Sequence, residues 1–276
     1  LALVAVSGHW HMQAMDAARE RGEGTLVSAL PVQLDLPAFA DGRLLTRDRA
    51  DGRRSALELS RHALRQSPQC ELVVWPETPV MGDALRDACA RGPAIADSLG
   101  RDLLMHCARD RPEGAQLTVQ WFAPGRGAVQ AHAKSSLVPL YETPLLQSPV
   151  LTAGLPGEVF ALPSGLKLVP SLCYELHSHD HLRAGRDHGG QVIVQMSSFT
   201  PFARHPIDRL DLGMGQIRAV EFAMPIIRAA NRGTAGWIDV LGRRHVTDDP
   251  HRPNADCTPI WMPSRPGTPY AHIAGM

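Results

Sequence analysis

The stretch Gly165-Leu-Lys-Leu-Val-Pro-Ser-Leu-Cys-Tyr-Glu175 decides how the rest of the chain is interpreted. Its aliphatic residues predict a buried strand that ends at Cys173, with a carboxylate two residues further on. A strand that runs into a turn is how α/β folds present a nucleophile at the rim of a sheet. A lone cysteine is also one of the most buried and inert residue types, so this stretch by itself leaves the role of Cys173 open.

Composition limits the classes of protein to which the chain can belong. Its 276 residues include 28 basic and 28 acidic side chains, and this neutral balance removes the electrostatic argument for a nucleic-acid partner. Apolar strands alternate with amphipathic helices and hairpin signals, which predicts an α/β fold with a mixed sheet. The five cysteines are scattered without a CxxC pair, which predicts neither a disulfide framework nor a zinc ribbon.

The chain divides into three segments. Residues 1–23 are a lead-in whose apolar start is typical of a remnant of a membrane or signal segment, or of an ordinary chain end. Residues 24–246 carry the predicted strands and helices, and residues 247–276 form a Pro-rich, irregular tail. No apolar run reaches the roughly 20 residues that a membrane helix needs. The compartment stays open between the cytoplasm and, if the lead-in is such a remnant, the periplasm.

Three polar residues follow the ends of apolar strands, and together they suit nucleophilic catalysis. Glu77 follows Trp75-Pro76, where partial desolvation would raise the carboxyl pKa and make it a proton acceptor near neutral pH. Lys134 would hold positive charge where an oxyanion develops. If both converge on Cys173, Glu77 would take the thiol proton and the sulfur would attack a carbonyl carbon to give a thioester. Taken singly, each residue is as typical of a surface carboxylate, a solvated lysine or an inert thiol.

Three motifs resemble those of the nitrilase (carbon–nitrogen hydrolase) superfamily, and within it the catalytic domain of bacterial apolipoprotein N-acyltransferases. They are Trp75-Pro-Glu-Thr, Lys134-Ser-Ser-Leu-Val-Pro-Leu-Tyr-Glu142 and Leu172-Cys-Tyr-Glu175, and the similarity extends from about Thr25 to Gly242. The resemblance implies a four-layer αββα sandwich with mixed β-sheets, spanning residues 24–246 as a catalytic domain. It also implies that two such domains pair through their helices into a homodimer.

The resemblance implies a function and a set of site residues. Glu77, Lys134 and Cys173 would form a catalytic triad that cleaves an amide or related acyl bond through a thioester, without a cofactor or a metal. Glu142 would orient Lys134 and the substrate, and Glu175 would buttress the site. The partner would be a small-molecule amide or acyl donor.

The substrate pocket is expected to draw on side chains beside the motifs and in the loop after the strand at 191–196. That loop, Ser197-Ser-Phe-Thr-Pro-Phe202, departs from the Asn-Asp pair and aromatic-Phe-Gly element usual in the acyltransferases. The expected pocket residues are Trp75, Tyr141, Tyr174, Ser198 and Phe199. The acyltransferases also carry their catalytic domain on a membrane-embedded helical portion. Membrane association is therefore expected only through a portion absent from this chain.

Three alternatives remain open. An N-acyltransferase would pass the acyl group to an amine rather than to water. A catalytically silent domain would serve as a scaffold or an interaction module. A metal site would use His177-Ser-His179-Asp-His181, where alternate histidines share a face of a strand, but the sequence offers no fitting fourth ligand.

Overall fold

The computed structural model describes residues 2–38, 40–48, 54–142, 151–200 and 206–263. Two short 3₁₀ turns, Gly42–Leu45 and Cys173–His177, accompany the helices and strands. The helices are α1 (Ala2–Glu20), α2 (Ala56–Gln66), α3 (Gly82–Ala90), α4 (Gly92–Leu99), α5 (His179–Asp187) and α6 (Ile207–Phe222). The strands are β1 (Thr25–Leu34), β2 (Leu72–Val74), β3 (Asp102–Arg111), β4 (Gly114–Ala123), β5 (Gly127–Ala133), β6 (Phe160–Ala161), β7 (Lys167–Leu172), β8 (Val192–Ser198), β9 (Ile226–Asn231), β10 (Gly236–Ile238), β11 (Arg244–Val246), β12 (Asn254–Ala255) and β13 (Thr258–Met262).

Strand β1 belongs to two sheets at once. Its middle, Ala29–Pro31, pairs in parallel with β2, and its end, Gln33–Leu34, pairs in parallel with β9. The path through hydrogen-bonded neighbours is β5-β4-β3-β2-β1-β9-β8-β7-β6, with β2–β3, β7–β8 and β8–β9 also parallel. The strands of each parallel set therefore end at one rim, where residues that follow them can meet.

Three apolar clusters separate the layers. One lies between the two sheets and joins side chains of β2 and β3 to those of β7, β8 and β9. A second packs α2, α3 and α4 against the outer face of the first sheet, and a third packs α5 and α6 against the outer face of the second. The predicted four-layer αββα sandwich with mixed sheets is confirmed.

The lead-in differs from a simple chain end because α1 occupies most of it. Both terminal nitrogens of Arg243 donate to the Asp16 carboxylate, at 2.6 and 2.7 Å, which fastens this helix to the loop before β11. Within the described ranges, none of the helices has the length and apolar character required to traverse a membrane. The idea that residues 1–23 are the remnant of such a segment stays a prediction.

The prediction of an irregular tail is wrong for part of residues 247–276. Strands β12 and β13 both pair antiparallel with β1, and Ile260 and Met262 enter the core between the sheets. The sequence pattern does not predict these short strands because the segment contains three prolines, Pro253, Pro259 and Pro263, and proline is rare inside strands. The residues from 264 onward lie outside the described part.

The prediction of no disulfide framework is also wrong. Cys70, just before β2, is bonded to Cys257, between β12 and β13, and Cys89 on α3 is bonded to Cys107 on β3. The separations of 187 and 18 residues follow no local spacing rule, so only the fold brings these partners together. All five cysteines lie in the described residues, and Cys173 is the one left as a thiol.

Removal of the Cys70–Cys257 bond by two alanine substitutions should destabilise the protein more than removal of Cys89–Cys107. A crosslink that closes a longer loop restricts the unfolded chain more, by about 5 kcal/mol for the first bond and about 3 kcal/mol for the second as upper values. Urea unfolding of the two double variants measures the difference. Thiol titration of the unreduced protein in denaturant should find one free thiol, and a count of five would contradict the pairing.

Candidate active site

Strand β7 and a strained backbone conformation build the turn that carries Cys173. The strand is buried from its second residue onward, and Cys173 begins the 3₁₀ turn immediately after it. Cys173 has φ of +54°, in the left-handed region that residues other than glycine rarely adopt. Such strain persists only where the surroundings hold it, and it often marks a functional residue. Here the Leu172 N–H donates to the Glu175 carboxylate at 2.7 Å, which fixes the start of the turn.

Glu77 lies where the two sheets meet. It follows β2 of the first sheet, and its carboxylate accepts a hydrogen bond of 2.9 Å from the Ser198 N–H at the end of β8 in the second. Cys173 lies close enough to this carboxyl group to act on its pKa, which it lowers. Glu77 is buried, and the backbone of Ser198 holds its carboxylate in place.

Lys134 directly follows β5 and is fully buried. Its ammonium group donates to both oxygens of Glu142, at 2.7 and 2.8 Å. The Val138 N–H donates to the same carboxylate at 2.7 Å, so Glu142 is fixed by its own loop. An ammonium group held in this way is a positioned positive charge that a developing oxyanion can use.

The buried groups shift one another's protonation. Burial raises the pKa of Glu77 to about 7, although the nearby Lys134 charge opposes the change. Burial and the neighbouring Glu77 also raise the pKa of the Cys173 thiol. For Lys134, burial alone would lower the pKa, but Cys173, Glu77 and Glu142 outweigh it and the pKa is raised. The arrangement at rest is therefore a protonated thiol beside a carboxyl group that is ready to accept its proton.

The structure brings four of the predicted site residues into one cluster, in which Glu77, Lys134 and Glu142 are buried and Cys173 is half-buried. Each of the four acts on the pKa of at least one other. Their predicted catalytic roles remain predictions, since geometry alone does not measure a reaction. The fifth, Glu175, lies beneath the turn and accepts from Leu172 rather than from these groups.

The predicted pocket residues fall into two groups. Tyr141 and Tyr174 are exposed, and Tyr174 stacks on the His177 ring with centroids 5.5 Å apart. Trp75 is buried in the core against the α2–α4 layer, where its indole N–H donates to the Ser60 hydroxyl at 3.0 Å. The prediction that Trp75 lines a pocket is wrong, because the alternation of the extended chain turns it toward the helices.

Ser198 and Phe199 are also buried. Asn231 at the end of β9 donates to the Ser198 hydroxyl at 3.1 Å and to the Thr200 hydroxyl at 2.7 Å, which ties the altered loop to the sheet. The Phe199 ring lies 5.2 Å from the guanidinium carbon of Arg228, so it covers a buried cation instead of facing solvent. Ser198 reaches the site through its backbone N–H.

The three histidines that the sequence suggested as metal ligands contact different residues in the structure. His177 bonds Asp211 at 3.1 Å, and His179 lies 3.5 Å from Glu221. His181 points inward and bonds the Pro170 carbonyl at 2.8 Å. These contacts do not assemble a shared site from His177, His179 and His181.

Sequence reasoning missed two polar residues near the site. His132, on β5, contacts the Glu175 carboxylate at 2.9 Å. His106, on β3, is buried, and its Nδ1 accepts the Thr78 N–H at 3.3 Å. Burial and the Lys134 charge lower the pKa of His106 to about 3, so this imidazole is neutral. Alternation along a predicted strand indicates which side chains face inward, but it does not indicate which residues they contact in the folded protein.

The fold and the cluster of Glu77, Lys134 and Cys173 are those expected of enzymes that act through a cysteine at a sheet rim. Residues 102–252 match the carbon–nitrogen hydrolase family, which is more than half of the chain. The chain belongs to this family, and the predicted resemblance to the nitrilase superfamily is confirmed.

Among curated proteins, the chain is similar to apolipoprotein N-acyltransferases. It is 31% identical to that of Allorhizobium ampelinum over 204 residues, covering 64% of this chain and 37% of that protein. It is 32% identical to that of Sinorhizobium medicae over 197 residues, covering 62% of this chain and 36% of that protein. The chain thus spans little more than a third of the length of these relatives.

Solved structures share the fold. Nit3 of Saccharomyces cerevisiae, a member of branch 10 of the nitrilase superfamily, superposes with a TM-score of 0.66 at 15% identity, covering 87% of this chain and 91% of that one. An amidase from Nesterenkonia sp. AN1 superposes with a TM-score of 0.64 at 15% identity, covering 91% and 94%. That amidase carries the acetamide moiety of fluoroacetamide added covalently at its active-site cysteine.

Glu77→Gln should stabilise the protein at pH 8. A carboxyl group whose pKa rises from 4.5 to about 7 on folding loses about 3 kcal/mol of stability as the pH passes from below 4.5 to above 7. Glutamine keeps the shape and can accept from Ser198 but has no charge to bury. Urea unfolding at pH 5 and pH 8 measures the free energy of unfolding of both proteins. The difference between the variant and the wild type should be larger at pH 8 than at pH 5. The same substitution at the exposed Glu113 is the control, and a pH-independent difference would contradict the buried-charge account.

Proposed function

We propose that this chain is a thiol enzyme that cleaves an amide or related acyl bond through a thioester on Cys173. The observation that carries the proposal is the position of the Cys173 thiol beside the buried Glu77 carboxyl group and the buried ammonium group of Lys134, both of which act on its pKa. Base, nucleophile and positive charge then act on one carbonyl group. Membership of the carbon–nitrogen hydrolase family supports the same chemistry.

In the first half of the reaction, the Glu77 carboxylate accepts the thiol proton as the sulfur attacks the carbonyl carbon. The carbonyl electron pair moves to oxygen, and the Lys134 ammonium stabilises the resulting oxyanion. When this tetrahedral intermediate collapses, the carbon–nitrogen bond breaks and the departing amine takes the proton from Glu77. The acyl group remains on Cys173 as a thioester.

In the second half, an acceptor attacks the thioester while Glu77 takes its proton. If the acceptor is water, the products are a carboxylic acid and the free thiol, and the enzyme is an amidase. If the acceptor is an amine, the product is a new amide. The similarity to apolipoprotein N-acyltransferases favours this second function as the alternative, with a membrane portion supplied from outside the described chain.

Intact mass spectrometry tests the proposal. Wild-type protein is incubated with small primary amides or with phospholipid vesicles, and then quenched in acid. An added acyl mass that neutral hydroxylamine removes, and that is missing in Cys173→Ala, is the expected result. Release of the free acid in water identifies hydrolysis, and capture by an added amine identifies transfer. A protein that forms no adduct with any donor, and whose Cys173 also resists iodoacetamide at pH 8, would be the silent scaffold.

The rate of acyl-enzyme formation should rise with pH through about 7. Glu77 can take the thiol proton only when it is ionised, and its pKa is raised to about 7. Single-turnover rates between pH 5 and pH 8.5 measure this acid limb. Glu77→Gln should flatten the limb as well as lower the rate, and an unchanged limb in that variant would assign it to another group.

A further inference from the structure

The His132 ring lies between two carboxylates. Its Nε2 is 2.9 and 3.0 Å from the two oxygens of Glu175, and its Nδ1 is 3.1 Å from Glu158. Both ring nitrogens therefore face hydrogen-bond acceptors, and both can be satisfied only if each carries a proton. His132 and Glu175 are completely buried, whereas the Glu158 side chain is 41% exposed. The geometry defines an imidazolium ion.

The Glu175 carboxylate links the two loops that carry the proposed nucleophile and the proposed cation. One oxygen accepts from the Leu172 N–H at 2.7 Å, immediately before Cys173. The other accepts from the N–H and the hydroxyl of Ser135 at 2.6 and 2.7 Å, immediately after Lys134. These loops leave different sheets, so this single carboxylate sets their spacing.

Side chains of these types can also bind a metal ion, and candidate ligand atoms of His132, Glu175 and His181 lie within 4.8 Å of one another. Every one of these atoms already has a hydrogen-bond partner. The His181 Nε2 donates to the Pro170 carbonyl at 2.8 Å, and its Nδ1 accepts from the Gly157 N–H at 3.2 Å, so the ring is neutral. Hydrogen bonds therefore satisfy all the candidate ligand atoms of this cluster.

We propose that His132 is a positioning residue whose imidazolium charge keeps Glu175 ionised and so holds the Cys173 turn against the Lys134 loop. The inference rests on the proposed role of Cys173 as the nucleophile. His132 lies on β5, outside the three motifs, and supplies the positive charge that the buried Glu175 carboxylate requires.

Electrostatics supports this arrangement. Burial alone would lower the pKa of His132, but Glu175 and Glu158 outweigh it and raise the value to about 9. Burial would raise the pKa of Glu175, but His132 outweighs it and lowers the value to about 2. The neutral His181 also faces His132, with ring centroids 4.9 Å apart, and the strand partner of His132 on β4 is Val119.

The loss of the imidazolium charge has a specific consequence. A buried carboxylate without a counter-charge takes up a proton. It then accepts fewer hydrogen bonds, so the bonds to Leu172 and Ser135 cannot all persist. The strained backbone of Cys173 would lose its support.

The first experiment measures the second-order rate of Cys173 alkylation by iodoacetamide at pH 8, which needs no substrate. His132→Gln should lower this rate by about 10- to 100-fold, as small misplacements of reacting groups do. His132→Lys, which restores a cation, should recover part of the loss. His62→Gln, on the surface of α2, is the matched control and should keep the wild-type rate. Thermal unfolding of each variant identifies any that fails to fold.

The second experiment keeps the core intact. Glu158→Gln removes only the half-exposed acceptor, so His132 should lose its proton at a lower pH than in the wild type. Nitrogen NMR of labelled histidine follows this titration, with both ring nitrogens of His132 protonated at pH 7.5 in the wild type. Alkylation of Cys173, measured relative to wild type at each pH, should decline in parallel in the variant.

Three results would overturn the inference. If NMR finds a neutral His132 at pH 7.5, the side chain is not an imidazolium ion. If folded His132→Gln is alkylated at the wild-type rate, His132 does not position Cys173. An equimolar metal ion in the purified protein would mean that His132, Glu175 and His181 coordinate a metal instead of forming these hydrogen bonds. If these results do not occur and no acyl-enzyme ever forms, the proposed function fails while the positioning role stands.

Discussion

An ammonium group sealed from water must be matched by an anion, and the burial of Lys134 is the constraint on which the rest of the site depends. Glu142 supplies the direct partner, and its loop is fixed by the Val138 N–H. With that pair in place, the remaining buried acids experience a fixed positive charge, which limits the rise in the pKa of Glu77 and of the Cys173 thiol. Charges that a folded protein has already oriented need no rearrangement when a substrate becomes charged, which is the main advantage of such an arrangement over water.

The shared strand β1 determines where this cluster of charged residues lies. Because β1 hydrogen-bonds to β2 along one part and to β9 along another, the two sheets face each other and their parallel strands end on one side. Glu77 and Lys134 leave the first sheet there, and Cys173 and Ser198 leave the second. The site is therefore an interface between two sheets, which the hydrogen bonds of Glu175 to Ser135 and of Ser198 to Glu77 bridge.

The features that local sequence patterns can predict are those that depend on neighbours along the chain. Apolar strands that alternate with helices and hairpins were enough to predict an α/β fold with a mixed sheet. The resemblance of the three motifs implied the layered sandwich and the pairing of Lys134 with Glu142. Other features depend on contacts between distant residues. Cys70 and Cys257 are 187 residues apart, and His132 meets Glu175 only because β5 and β7 come from facing sheets. The wrong assignment of Trp75 has a related cause, since its motif does not indicate which side of the sheet it faces.

The pairing of four cysteines has a chemical consequence for the fifth. Disulfides persist in oxidising surroundings, where an accessible thiolate is converted to sulfenic acid or captured in a mixed disulfide. Peroxides attack the thiolate rather than the thiol, and burial raises the pKa of Cys173 so that little thiolate exists at rest. Because the thiol keeps its proton, Cys173 is protected from oxidation in surroundings where the other four cysteines form disulfides.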